Sequence, residues 1–182
     1  MLYFAYGSNL NVKAMRHHCP AAKPLTAARL VGYRLQFQTY CAIVPDAKHS
    51  VPGALFELTP ACVRALDCYE GDAFRQITLT VNRSDTGEDV EAMAYEKITP
   101  GKPAPPSMDY VRQVAAGYRD WGLGEQVLRR ARYDTLGVAT EAPTAANTPP
   151  DAATGGRARR GLWDPAENSS GALDGLLKPP RR

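Results

Sequence analysis

Met1-Leu2-Tyr3-Phe4-Ala5-Tyr6-Gly7-Ser8-Asn9-Leu10 opens the chain, and its reading decides the fold. Leu2 to Ala5 is a run of apolar and aromatic residues with no polar alternation, the pattern of a strand buried on both faces and so central to its sheet. The strand runs straight into a turn over Tyr6 to Leu10. There Gly7 permits a backbone angle that other residues resist, and Ser8, Asn9 and Asn11 can each cap a helix over Val12 to about His18. A strand, glycine turn and helix start leave backbone N–H groups free, and with the helix dipole these suit a carboxylate or an oxyanion. The same stretch also reads as a plain strand-to-helix turn whose amides are taken up by its own caps.

With 182 residues, a net charge of +3 and 44% hydrophobic content, the chain has material for one domain with a sizeable core and no charge excess that names a partner. No stretch approaches the roughly 20 apolar residues of a membrane span. The first strand lacks the basic flank and small-residue cleavage site of a signal peptide. A cytoplasmic protein with neither a membrane nor a nucleic-acid partner is therefore expected. Cys19, Cys41, Cys62 and Cys68 are scattered without a C-x-x-C pair, which suits reduced, mostly buried thiols.

Working outward, Leu30 to Tyr40 alternates, with Val31, Tyr33, Leu35 and Phe37 on one face and Arg34, Gln36 and Gln38 on the other, as in a half-buried strand. Cys41 to Ser50 reads as a loop and Ala54 to Leu58 as the next strand. Thr59 and Pro60 open a helix with Val63, Leu66 and Tyr69 at helical spacing and Gly71 as its stop. Arg75 to Arg83 and Val90 to Ile98 read as an antiparallel hairpin. The proline-rich Thr99 to Pro106 is irregular, Ser107 caps a helix through Trp121, and a shorter helix spans Gly124 to Arg132. From about Thr140 the composition turns to Ala, Pro, Gly, Ser and Arg, so residues 1–139 are read as the domain and 140–182 as a mobile tail. Leu162-Trp163 and Leu173 to Leu177 are its docking candidates.

Glu70 stands out chemically. It occupies the last turn of its helix, beside the stop glycine and near Asp67 and Asp72, where the dipole's negative end and neighbouring carboxylates disfavour its charge. A glutamate so raised is a candidate general base near neutral pH; otherwise it is a solvated residue at a frayed helix end. His17, His18 and Cys19 invite a metal, but adjacent helical residues point about 100° apart and rarely chelate one ion, and only His49 remains elsewhere. Ser8 lies in no nucleophile elbow. Cys68, two residues from Glu70, lacks an activating neighbour and reads as a packed thiol. Arg157, Arg159, Arg160, Arg181 and Arg182 form basic clusters without interleaved aromatics, a pattern of solvated charge.

Three motifs occur in order: Tyr3 to Leu10, then Leu66-Asp67-x-x-Glu70-Gly71, then Ala104-Pro105-Pro106-Ser107-x-x-Tyr110 with Gly117 and Gly122-Leu123. Together they resemble the γ-glutamylcyclotransferase family of the AIG2-like superfamily, over roughly residues 2 to 135. The resemblance implies an α+β fold, a small, mixed but mostly antiparallel closed β-barrel with flanking helices. It implies a cofactor-free and metal-free enzyme that cleaves a γ-glutamyl amide by internal cyclisation to 5-oxoproline. Glu70 would carry protons, and Tyr3, Phe4, Ala5, Tyr6, Gly7, Ser8, Asn9 and Leu10 with Tyr95 and Tyr110 would bind the small-molecule γ-glutamyl substrate. Similar enzymes carry a tyrosine a few residues after the Glu-Gly pair; here Phe74 stands there, and a hydroxyl contact is lost. Alternatives are a related transferase, a γ-glutamyl deprotection enzyme of a biosynthetic pathway, or a non-catalytic binding protein. Oligomeric state is open between monomer and homodimer.

Overall fold

The structure is a computed structural model that describes residues 1–136. The tail expectations from Thr140 onward, including the basic clusters and both docking candidates, lie outside the described residues. Five strands close into a barrel in the order β1, β3, β2, β4, β5. These are β1 (Leu2–Ala5), β2 (Lys23–Gln38), β3 (Tyr40–Glu57), β4 (Phe74–Arg83) and β5 (Asp89–Lys97). β1 pairs antiparallel with β3 (Tyr3 opposite Phe56) and meets β5 in parallel at Tyr3 and Met93. Every other neighbouring pair is antiparallel. The mixed, mostly antiparallel barrel implied by the resemblance is the fold observed, and the central place of β1 follows from its burial on both faces.

Four helices flank the barrel: α1 (Val12–His18), α2 (Pro60–Glu70), α3 (Met108–Asp120) and α4 (Gln126–Leu136). Thr59 caps α2 through Cys62 N at 3.3 Å with Pro60 in the first turn, and Ser107 caps α3 through Tyr110 N at 3.2 Å. In these two places the sequence signals are met. α4 runs four residues beyond its expected end at Arg132.

The β2–β3 ribbon departs from the sequence reading in two ways. Cys41 to Ser50 is not a loop but the first half of β3, paired with β2 from Gln38 opposite Tyr40 onward. In addition, the single alternation expected over Leu30 to Phe37 is broken by a register shift between Val31 and Tyr33, at Gly32. There Gly32, at φ 81°, stands against four residues of β3, Asp46 to His49, and such a break in the ladder can turn the following side chains to the other face. Leu30 is therefore buried while Val31 is exposed, Leu35 and Phe37 are buried, and Gln36 and Gln38 are buried as well. The core is built from Phe4, Phe37, Phe56, Leu55, Val51, Val81 and Tyr118, all without appreciable exposure.

Candidate functional site

β1 ends at Ala5 and the chain passes through one 3₁₀ turn, Ser8–Leu10. Gly7 precedes it at φ −117° and ψ −137°, outside the left-handed region, so glycine is not there for a forbidden angle. It is there for close approach, since a Cβ would lie 3.2 Å from the Tyr110 hydroxyl oxygen and 3.3 Å from Cys41 Cβ. The amides are less free than expected: Leu10 N donates to Gly7 O and Asn11 N to Ser8 O, each at 3.1 Å. Of the three candidate caps only Asn11 serves α1, its Oδ1 accepting from Ala14 N at 2.8 Å. Asn9 turns the other way. Its buried side chain donates through Nδ2 to Tyr3 Oη at 2.9 Å and to Glu70 Oε1 at 3.0 Å.

Glu70 arrives from α2 as the last helical residue. Gly71 follows at φ 61° and closes its amide onto Asp67 O, a left-handed stop that glycine adopts at little cost. Glu70 is partly buried, and burial pushes its carboxyl up from the ordinary 4.5 to about 7, with the Asn9 hydrogen bond pulling the other way. The direction agrees with the sequence reading but the cause does not: desolvation raises it, rather than the helix end and the charges of Asp67 and Asp72. Asp67 is engaged elsewhere, accepting from Tyr95 Oη at 2.7 Å and from Gln76 Nε2 at 2.6 Å.

Four tyrosines feel the charge of this carboxylate. Tyr3, Tyr6, Tyr69 and Tyr95 are each raised above the ordinary phenol value, first by burial and with the Glu70 charge among the further causes, so all stay neutral at working pH. Tyr6 Oη donates to Tyr95 O at 2.6 Å, and the rings of Tyr3 and Tyr95 meet edge to face with centroids 6.0 Å apart. With these phenols neutral, Glu70 is the one of the expected site residues placed to exchange a proton near neutrality.

α3 holds the turn from outside. At its first turn Tyr110 accepts Cys41 N at 3.1 Å and covers Gly7. At its far end Trp121 Nε1 donates to Leu10 O and Asp120 accepts Val12 N, both at 2.9 Å. Between them Gly117 lets the turn touch the helix, because a Cβ there would fall 2.5 Å from Leu10 Cβ and 2.6 Å from Asn11 N. The third sequence motif is thus the clamp for the first.

A family model described as gamma-glutamyl cyclotransferase, AIG2-like, matches residues 3–112. The chain belongs to this family. Its Bos taurus relative named gamma-glutamylcyclotransferase is 27% identical over 137 residues, covering 67% of this chain and 72% of the relative. The Mus musculus protein of the same name is 26% identical over 140 residues, covering 69% and 73%. A solved structure called gamma-glutamyl cyclotransferase superposes with a TM-score of 0.64 at 24% identity, covering 81% of this chain and 92% of its own, which shows the shared fold.

In this gamma-glutamyl cyclotransferase-like chain the expected site residues divide by what their side chains can offer. Tyr3, Asn9 and Glu70 are joined by hydrogen bonds. Tyr6 and Tyr95 are tied to each other and to Asp67, and Tyr110 sits over Gly7. Ser8, partly buried, lies near Tyr69 and partly offsets the rise in that phenol's pKa. Phe4, Ala5 and Leu10 have no side-chain exposure, so anything they present to a ligand is backbone. Phe74, at the start of β4, packs against the core without a hydroxyl. Tyr69 and Cys41 escaped the sequence reading. Tyr69 follows the inward spacing of α2 and stacks on His18 with centroids 4.0 Å apart, whereas Cys41 fell in the supposed loop. Among the described residues no three His, Cys, Asp or Glu side chains come together as metal ligands. Cys19, Cys41 and Cys62 are buried, but Cys68 is exposed, contrary to its reading as a packed thiol. No described helix is long and apolar enough to cross a membrane.

Proposed function

We propose that the protein is a γ-glutamylcyclotransferase-type enzyme that converts a γ-glutamyl amide to 5-oxoproline and a free amine without consuming water. The observation that carries this reading is a half-buried Glu70 with its carboxyl pushed up to about 7, set against the family's glycine turn by Asn9. A carboxylate of that strength can both accept and return a proton near neutral pH. Glu70 takes a proton from the substrate's α-ammonium, and the freed amine attacks its own γ-carbonyl carbon. The tetrahedral intermediate collapses with cleavage of the amide C–N bond. Glu70 returns its proton to the departing nitrogen, and the ring nitrogen gives up its second proton as the amine leaves as an ammonium ion. Nucleophile and carbonyl share one molecule, so the protein has only to fold the substrate and move protons.

The turn supplies the anion contacts. Backbone N–H groups around Gly7 and Ser8 suit the substrate's α-carboxylate or the oxyanion, while the amides of Leu10 and Asn11 are already spent on the turn itself. Tyr110 and Tyr95 close the pocket as neutral phenols. No step calls for a cofactor. The test is to offer the purified protein a panel of γ-glutamyl dipeptides, glutathione and γ-glutamyl amines and to assay 5-oxoproline. Release from at least one is expected, and no release from any would refute the reading.

A further inference from the structure

Asn9 belongs to the turn by sequence but not by its hydrogen bonds. It caps no helix, since Asn11 has that task. Both hydrogens of its Nδ2 are committed, one to the phenolic oxygen of Tyr3 and one to Glu70 Oε1, while its buried Oδ1 meets no donor among the described residues. A buried acceptor left without a partner is destabilising, and a leucine of nearly the same shape would fill the space without that burden. The orientation is the one an ionised Glu70 demands, because turning the amide round would set an acceptor against a carboxylate.

We propose that Asn9 is a positioning residue for Glu70, its carboxamide pinned by Tyr3 so that Nδ2 holds the carboxylate in one place and favours the ionised, proton-accepting form. The inference rests on Glu70 being the proton carrier. Among the described residues the groups shown to feel the Glu70 charge are phenols, Tyr3 and Tyr6 from β1 and the turn, Tyr69 from its own helix and Tyr95 from β5, while from α1 His18 stacks on Tyr69 with its pKa lowered by burial. Asp67 is turned to Tyr95 and Gln76, and Asp72 lies exposed beyond the helix stop. Asn9 is the neutral donor that opposes the burial of this carboxylate.

The experiment follows the Glu70 side-chain carboxyl by carbon-detected NMR across pH in the wild type, Asn9→Leu and Tyr3→Phe, alongside the acid limb of kcat/KM and the melting temperature. With Asn9→Leu the Glu70 midpoint is expected to rise by about one pH unit. The acid limb should move with it, kcat should fall about tenfold or more with KM little changed, and the melting temperature should hold or rise. Tyr3→Phe keeps the ring and frees Asn9, and should shift the midpoint in the same direction by less. It serves if the leucine variant does not fold. A Glu70 midpoint unmoved in a folded variant overturns the proposal. If the wild type forms no 5-oxoproline yet the midpoint moves as stated, the functional reading fails and the positioning role stands.

Discussion

β4 carries a carboxylate environment at each end, and the two are built on opposite principles. At its far end Asp85 lies in the turn to β5, exposed and gripped by Arg83 through two hydrogen bonds of 2.9 and 2.7 Å. That guanidinium holds the Asp85 carboxyl below the usual range. At the near end, where α2 gives way to β4, Glu70 is partly buried, its hydrogen-bond partner is a neutral amide, and its carboxyl sits at about 7. The first arrangement is what a surface turn does with charge. The second keeps a carboxylate where water is scarce and no cation neutralises it, a costly arrangement of the kind found where a proton has to move.

The largest effect expected from this contrast is at Glu70. Glu70→Gln keeps size and hydrogen bonding but cannot take a proton, so turnover should fall by about two orders of magnitude or more while substrate still binds. The same variant should be more stable than the wild type at pH 8. A carboxyl whose pKa is raised by folding contributes its full stability below the unfolded value of 4.5 and loses it as pH rises through about 7. The difference, on the order of 3 kcal/mol at the top of that range, should vanish near pH 4. Equal melting temperatures at pH 8 would show that burial does not strain the charge.

A smaller loss is expected where the site end relies on contact rather than charge. Gly117→Ala puts a methyl group against Leu10 and the backbone of Asn11, and should cost ~2 kcal/mol, about 5 °C in melting temperature. Activity should fall too, since the turn that carries Asn9 must shift. Full activity with a lowered melting temperature would separate the clamp from the site. The smallest effect should be at the other end of β4. Asp85→Asn should leave turnover unchanged and the melting temperature within about a degree, because an exposed ion pair contributes little; a marked loss in a thermal melt would break the contrast.

How much of this the sequence could show differs along the chain. β1, the turn and the stop after Glu70 are legible because each is set by neighbours in the chain: an unbroken apolar run, a glycine before capping residues, a glycine at φ 61°. The β2–β3 ribbon is not. Pro45, Asp46 and the polar residues through Ser50 look like a loop, yet Pro45 opposite Tyr33 follows directly on the register shift, where a missing N–H does least harm to a ladder. The break at Gly32, one residue of β2 against four of β3, also interrupts the faces in a way no alternation announces. Glu70 itself is readable as a carboxylate out of place, but its burial, the cause of its raised pKa, depends on how the barrel closes, which brings Tyr3, Tyr6 and Tyr95 from far away in sequence within reach of its charge. Asn9 shows itself in the sequence as a turn residue, a cap candidate and, by the resemblance, a substrate contact, but not as a partner of Glu70. That its amide crosses to α2 depends on how the barrel closes.

The central claim is that a single partly buried carboxylate, Glu70, governs proton transfer near neutrality, and the pH profile of kcat/KM from about 4 to 9 tests it most directly. The limb must be compared with the substrate's own α-amino titration, which lies higher, near 8. Because Glu70 must be ionised to accept the ammonium proton, activity should rise with pH along an acid limb with its midpoint near 7, where burial has set this carboxyl. The limb should be absent from the residual activity of Glu70→Gln. A midpoint at the ordinary 4.5, or a profile flat through the acid range, would contradict the account.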